Sequence, residues 1–229
     1  LNKNKDYFFS HISHDLKGVF MSLMGFSDVL VNDLKKLSID DIYKFARNIN
    51  DSIRYLFQLM NNLLDWSRVQ IGKVDYKPQK VNLYESISKV IYIQKPNAEK
   101  KKINIVNDVN NNHFVLVDDN MFYSVMNNIL NNAIKFSRIG SDIQISSSRK
   151  DNYYEIKVKD YGIGIESDNL DRLFKIDKVF SKSGTNGEGG TGLGLILCKD
   201  LISKNKGEIK IDSAPNKGTT VYILLPVTE

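Results

Sequence analysis

The sequence predicts an α+β chain in two parts: an N-terminal antiparallel helical hairpin that pairs with a second copy into a four-helix bundle, then a two-layer α/β sandwich. Three observations predict this. The first seventy or so residues carry apolar side chains in alternating steps of three and four, the seam of helices that want partner helices. After Leu83, amphipathic helical patterns mix with short runs of period-two alternation. Between the two regimes Gly72 ends the helical pattern, and residues 73–82, with Pro78, read as a linker. The expected division is a hairpin over 1–72, a linker over 73–82 and a second domain over 83–229.

The first helix is expected from about Asn4 to Lys36, with Phe9, Ile12, Leu16, Val19, Leu23, Phe26 and Leu30 on its seam. Ser38-Ile39-Asp40-Asp41 fits a capping box and starts a second helix. Its seam runs Ile42, Phe45, Ile49, Leu56, Leu59, Leu63 and Trp66, with Ser52 the polar residue in register. Ile53, Phe57, Met60 and Leu64 widen the stripe beyond what two helices can bury against each other, which is the reason to expect a homodimer; the competing reading is a hairpin packed on its own C-terminal domain. Further on, Leu83 to Lys101 is helical in pattern, with Pro96 bending or ending it early. Strands are expected at 103–106 and 114–117, a helix from Asp119 to Phe136, and strands around Ile143 and Ile145, 154–158, 209–211 and 220–225.

Composition narrows the function classes. With 41% hydrophobic and 26% charged residues, the 229-residue chain has the makings of a real core. The net charge of +5 is spread along the chain and makes no case for nucleic acid. A single cysteine, Cys198, excludes a disulfide framework or thiolate metal cluster, and its apolar neighbours mark it as a buried structural thiol. No apolar run reaches membrane-spanning length, and no signal peptide is visible. The chain starts abruptly within a helical pattern and reads as part of something longer.

Four stretches carry chemistry. With Phe9 at heptad position a, His14 falls at f, farthest from the seam, with Asp15 beside it. Such an imidazole, titrating near neutrality, is a competent nucleophile if an electrophile is delivered to it; the competing reading is an ordinary surface histidine. Asn128, Asn132 and Lys135 share one helix face bordering the apolar face of Ile129, Ala133 and Phe136. Two amides and an ammonium there could simply face water, or could serve Mg²⁺ and phosphate. Asp160 is in phase with Tyr154, Ile156 and Val158, so its carboxylate lies on an apolar strand face and needs a donor; Gly162 and Gly164 after it allow a flat ring to approach. Finally, Phe174 to Gly190 runs into Gly190-Thr191-Gly192-Leu193-Gly194, glycines that open directly into a helix and offer N–H groups to phosphate. The lysines before them, Lys175, Lys178 and Lys182, also suit a solvated loop. This is neither a Walker loop nor the Rossmann fingerprint.

Phe8-Phe9-Ser10-His11-Ile12-Ser13-His14-Asp15-Leu16-Lys17 resembles the phosphoacceptor box of sensor histidine kinases of two-component systems. The later stretches, in their order, resemble the N box, first glycine box, F box and second glycine box of the histidine-kinase ATP domain, of the gyrase/chaperone type. The resemblance covers nearly the whole chain. It implies a dimerisation and phosphotransfer hairpin followed by a catalytic ATP-binding domain, with ATP and Mg²⁺ as cofactors. His14 would attack the γ-phosphate and Asp15 would hold its other ring nitrogen. Asn132 would hold Mg²⁺, with Asn128 and Lys135 supporting the phosphates. Phe136 would lie near the adenine, Asp160 would read its amine, and Gly162, Ile163 and Gly164 would shape the base pocket. Phe174 and Lys182 would belong to the lid, and Gly190, Thr191, Gly192, Leu193 and Gly194 to its phosphate end; Gly218-Thr219-Thr220 resembles the last turn by the adenine. His11 and His113 match no catalytic position and are expected on the surface. The implied partners are a second copy of the chain and a response-regulator receiver domain, with no nucleic acid and no membrane contact. The implied location is the cytoplasmic part of a larger sensor.

Two other readings compete. One is an inactive module that docks a response regulator; Asn132, Asp160 and the lid glycines argue against it. The other is an ATPase clamp of the same superfamily, against which the His14 helix argues. The chain departs from the kinase pattern at Gly18, where Thr or Asn is usual, and at Val19, where Pro is usual. Gly18 has no side chain to position a water for dephosphorylating the partner, so weak phosphatase activity is expected.

Overall fold

The computed structural model describes residues 2–70, 76–175, 182–186 and 188–227; the side chains of 2–12, His14, Asp15, 58, 62, Asp65, Trp66 and 68–70 lie outside the description. The chain divides into two compact units, 1–67 and 68–229.

The first unit is a pair of helices, α1 (Asn2–Asn32) and α2 (Ile39–Gln70), joined through a 3₁₀ turn at Leu34–Lys36. The first α-helix thus stops before Lys36. Asp33 leaves helical geometry, at φ −115, and its carboxylate takes Lys36 Nζ at 2.6 Å. The capping box forms as the sequence predicts: Ser38 Oγ accepts from the Asp41 N–H at 3.2 Å, and Asp41 Oδ2 accepts from the Ser38 N–H at 3.3 Å. Seam residues Leu16, Val19, Leu23, Phe26 and Leu30, and Ile42, Phe45, Ile49, Leu56 and Leu63, are partly buried, and Leu59 fully so. Phe26 and Phe45 meet with ring centroids 6.0 Å apart. The Trp66 side chain and Gly72 lie outside the description.

The second unit is a five-stranded sheet with a layer of helices. Its elements are β1 (Gln79–Asn82), α3 (Leu83–Lys100), β2 (Asn104–Asp108), β3 (Phe114–Val117), α4 (Asp119–Phe136), β4 (Asp142–Lys150), β5 (Tyr153–Asp160), the short α5 (Ser167–Leu170), α6 (Gly194–Lys204), β6 (Glu208–Ser213) and β7 (Thr219–Pro226). The sheet order is β2-β4-β5-β7-β6, with β2 and β4 parallel and the other pairs antiparallel. Tyr154, Ile156 and Val158 of β5 are buried in alternation, with Ile143 and Ile145 of β4 and Ile223 and Leu225 of β7 on the same face. Against them lie Phe122, Met126, Ile129 and Leu130 of α4 and Ile196 and Leu197 of α6, so one apolar layer joins helices to sheet. Cys198 is buried in that layer, and burial pushes its thiol up to about 12, which makes it structural rather than reactive.

Two expectations are corrected. Residues 79–82, expected as linker, form a strand paired with β3 in a separate two-stranded sheet. Val81 is buried opposite Val115, and the Asn82 side chain caps α3 by accepting from the Glu85 N–H. A four-residue strand is too short for its alternation to register in sequence. Pro96 does not end α3, which continues to Lys100. Pro96 and Tyr92 both lie on the exposed face, where water can satisfy the carbonyl that the proline deprives of its donor. Truncating the central strand tests the layer: Ile156→Ala is expected to lower the stability of this unit by about 3 kcal/mol, read from urea unfolding of the intact chain.

Candidate nucleotide-binding site

The site begins with Asp160, the last residue of β5. Strand alternation carries it onto the buried face, as the sequence predicts, and the fold supplies donors: Oδ1 accepts from the Gly162 N–H at 2.9 Å and the Thr219 N–H at 3.1 Å. Burial outweighs these bonds and raises its pKa from 3.8 to about 6. Both recorded donors engage Oδ1, so Oδ2 can meet a ligand donor.

The glycines around Asp160 are there because backbone comes too close for a side chain. A Cβ on Gly162 would run into the carbonyl of Phe136, and the Ile163 N–H donates to that same carbonyl at 3.2 Å. Gly218, at φ +81, lies directly against the Asp160 carbonyl, and Gly164, at φ +65, against that of Ala214. The turn after β5 is thereby clamped between the end of α4 and the β6–β7 hairpin, where the Asn216 N–H donates to the Ile163 carbonyl at 2.8 Å.

Helix α4 provides the next wall. Asn128 and Asn132 are half-buried and Lys135 is buried, as expected for a polar face that borders the core. The Lys135 ammonium stands 4.6 Å from the centroid of the half-buried Phe136 ring. Burial lowers its pKa, while Glu188 acts to raise it and Lys101 to lower it. Ser137, next in the chain, is fully buried, and its Oγ is the buried side-chain polar atom left without a partner among the described residues.

The glycine run completes the enclosure. Gly190, Gly192 and Gly194 are half-buried, Thr191 and Leu193 are buried, and Gly192 has φ +69. Leu193 occupies the N-cap of α6 and gives it no side-chain cap, so the first N–H groups of the helix are left for a ligand. The Asn128 Oδ1 lies 2.9 Å from where a Cβ on Gly194 would sit, which brings the polar face of α4 against this helix start. Phe174 is half-buried, 5.7 Å from the Nζ of Lys199 on α6.

Other predicted residues do not join this cluster. Lys175 and Lys182 are exposed, and Lys178 lies outside the described residues. The backbone of His14 and Asp15 is part of α1, but their side chains, like that of His11, lie outside the description. His113 is not a plain surface residue: it is half-buried, 4.2 Å from the Tyr154 ring, with Nδ1 2.8 Å from Ser147 Oγ, and burial lowers its pKa. Sequence reasoning missed Lys101, Ser137, Thr185 and Glu188, which the fold gathers at the end of α4. Lys101 sits in a run of three lysines and carries no sequence signal that it is buried.

An acceptor on an apolar strand face, a buried ammonium beside a phenyl ring, an orphaned hydroxyl and an uncapped helix N-terminus suit a planar base with an amine at one end and phosphates at the other. Comparison with known proteins agrees. Residues 117–229 match the family described as histidine kinase-, DNA gyrase B-, and HSP90-like ATPase. Over 99% of its length the chain is 32% identical to the Non-motile and phage-resistance protein of Caulobacter vibrioides, of which it covers 27%. It is 29% identical, again over 99% of its length, to the cell-division control histidine kinase PdhS of Brucella canis, of which it covers 23%. The chain therefore spans roughly a quarter of the length of these curated relatives. Among solved structures, the Acinetobacter baumannii histidine kinase AdeS aligns over 94% of this chain and 98% of that one, with TM-score 0.73 and 20% identity. Histidine kinase ThkA in complex with the response regulator protein TrrA aligns over 96% of this chain and 61% of that one, with TM-score 0.74 and 19% identity. At such identities these two speak for the fold alone.

Asp160 ties the site to stability. Its folded-state pKa lies above the unfolded value, so folding loses stability as pH rises from about 4 to about 6, and the loss is complete above that. The shift corresponds to about 3 kcal/mol. Asp160→Asn, whose Oδ1 still accepts from Gly162 and Thr219, is expected to melt higher than wild type at pH 7.5. The difference should vanish below pH 4. The same variant is expected to lose adenine-nucleotide binding in calorimetry, because an amide N–H₂ takes the place of the second acceptor.

Proposed function

We propose that this chain is a sensor histidine kinase, with residues 117–229, which match the histidine kinase-, DNA gyrase B-, and HSP90-like ATPases, as its ATPase region, and that it is an ATP-dependent protein-histidine kinase that phosphorylates its own His14 and passes the phosphoryl group to an aspartate of a response-regulator receiver domain. The observation that carries the reading is the convergence of Asp160, the polar face of α4 and the uncapped start of α6 in one unit, in a chain whose first helix bears His14-Asp15.

In this mechanism Asp160 Oδ2 accepts from the adenine amine, and Gly162 lets the base lie flat against the end of α4. Phe136 lines the base, and Lys135 and the α6 N–H groups from Gly194 onward hold the phosphates. The Asn132 carboxamide oxygen, with Asn128 in support, would hold a Mg²⁺ ion, which when bound would supply neutralisation of phosphate charge. One ring nitrogen of His14 forms a bond to the γ-phosphorus as the bond to the bridging oxygen of ADP breaks. Asp15 holds the N–H on the other ring nitrogen, fixing the tautomer, and draws its proton as the ring becomes phosphorylated. The phosphohistidine then donates its phosphoryl group to the receiver aspartate; another histidine kinase, ThkA, has been solved in complex with a response regulator protein, TrrA.

The hairpin's surface supports the homodimer. Phe20, Met21, Met24, Ile53, Phe57, Met60 and Leu64 are each 47% exposed or more. Stripes this apolar on both helices find cover in a second hairpin.

Incubation with Mg²⁺ and γ-labelled ATP tests the reading. Wild type is expected to take up acid-labile, alkali-stable label, and His14→Gln and Asn132→Ala to take up none; label persisting in His14→Gln would move the acceptor elsewhere. A second expectation concerns Gly18, where an added Cβ would meet nothing within 4 Å. Gly18→Thr fits there, and is expected to raise dephosphorylation of the partner receiver while leaving autophosphorylation in place.

A further inference from the structure

Beside the phosphate wall a buried lysine holds an ion pair with a half-exposed glutamate, for which the transfer chemistry above has no use. Lys101, at the end of α3, is 4% exposed in its side chain. Its ammonium donates to the carbonyls of Ile134 at 2.9 Å and Lys135 at 2.7 Å and to Thr185 Oγ1 at 2.6 Å, and pairs with Glu188 Oε1 at 2.9 Å. Three N–H bonds thus serve four acceptors, two of them last-turn carbonyls at the negative end of α4.

The loop segment is tied to the same place by its own backbone. The Thr185 N–H donates to the Lys135 carbonyl at 3.1 Å, and the Thr185 hydroxyl to that of Ser137 at 2.8 Å. The Gly184 N–H donates to the Glu188 carbonyl at 2.8 Å, and the Asn186 N–H to Glu188 Oε2 at 2.8 Å. A Cβ on Gly184 would collide with the Glu188 carboxylate and stand 2.6 Å from Lys135 Cγ, so this loop lies directly on the Lys135 side chain. Two ammonium groups and one carboxylate share the pocket. The short contact is between Glu188 and Lys101, which leaves the net positive charge on Lys135. Without Lys101, the Glu188 carboxylate would have Lys135 as its nearest cation and would compete there with any phosphate.

We propose that Lys101 is a positioning residue for the phosphate site: it neutralises Glu188 and anchors Thr185 to the end of α4, so that Lys135 keeps its charge for the nucleotide. The second half of this statement rests on the nucleotide-binding reading above; the anchoring does not.

Calorimetry of a non-hydrolysable ATP analogue with Mg²⁺, on the intact chain, separates this role from a merely structural one. Lys101→Met is expected to weaken binding about tenfold and Glu188→Gln to change it by less than about threefold. The double variant is expected to return to within about threefold of Glu188→Gln, because the competing carboxylate is gone. Equal weakening in Lys101→Met and the double variant, or no weakening in either, overturns the charge-neutralising role. Amide exchange without nucleotide tests the anchor. Thr185 N–H exchange is expected to quicken in Lys101→Met, and unchanged exchange overturns it. If wild type binds no analogue, the nucleotide reading falls together with the phosphate role, while Thr185 exchange still decides the anchor. Should Lys101→Met not fold, Thr185→Val removes the hydroxyl anchor without touching a charge. It is expected to quicken Gly184 exchange and weaken analogue binding, and unchanged values for both overturn the proposal.

Discussion

One carboxylate on an apolar strand face sets the terms for the rest of the domain. Asp160 ends β5 in phase with Tyr154, Ile156 and Val158, so the rule that buries those side chains buries a group that resists burial. The fold answers with two backbone donors from different segments, Gly162 just after the strand and Thr219 at the start of β7. Each answer requires a glycine, since the backbone of Phe136 crowds Gly162 and that of Asp160 crowds Gly218. The pKa of about 6 shows that two donors do not fully replace water. A carboxylate left short of partners lowers stability, a cost common at functional sites.

Helix α4 lies at the meeting point of core and site. Phe122, Met126, Ile129 and Leu130 hold it in the apolar layer, while Asn128, Asn132 and Lys135 follow at helical spacing along its edge. Because packing fixes the rotation of the helix, it also fixes the direction of the polar residues. The end of α4 carries further duties. Its last carbonyls receive the Lys101 ammonium, the Thr185 N–H and the Ile163 N–H. The proposed base pocket, phosphate wall and loop anchor therefore share one helix terminus.

The hairpin obeys a different constraint. It holds its seam residues in partial cover and leaves Phe20, Met21, Met24, Phe57 and Met60 in water, more apolar surface than a solitary pair of helices has reason to keep. The proposed homodimer would cover that surface, while the second unit has a closed layer of its own. That division matches the work proposed for them: one part to present a histidine in an assembly, the other to hold a nucleotide.

The sequence by itself determined the elements and the chemistry-bearing residues wherever a local rule is strong. Seam spacing gave the two helices, Ser38 and Asp41 gave the capping box, strand phase gave the burial of Asp160, and helical phase gave the shared face of Asn128, Asn132 and Lys135. Local rules failed where competing signals were short or weak, as at the four-residue strand hidden in the expected linker and at Pro96, whose solvent-facing position spared the helix. What only the tertiary structure decided is which distant residues become partners. The Thr219 N–H reaches the Asp160 carboxylate across 59 positions, and the Lys101 ammonium reaches the Thr185 hydroxyl across 84, contacts that carry no residue pattern. Lys101 stands between two other lysines and is indistinguishable from them as a string of letters. The packing of α3 against α4 turns that one ammonium inward, because burial is a property of the assembled layers and not of the residue.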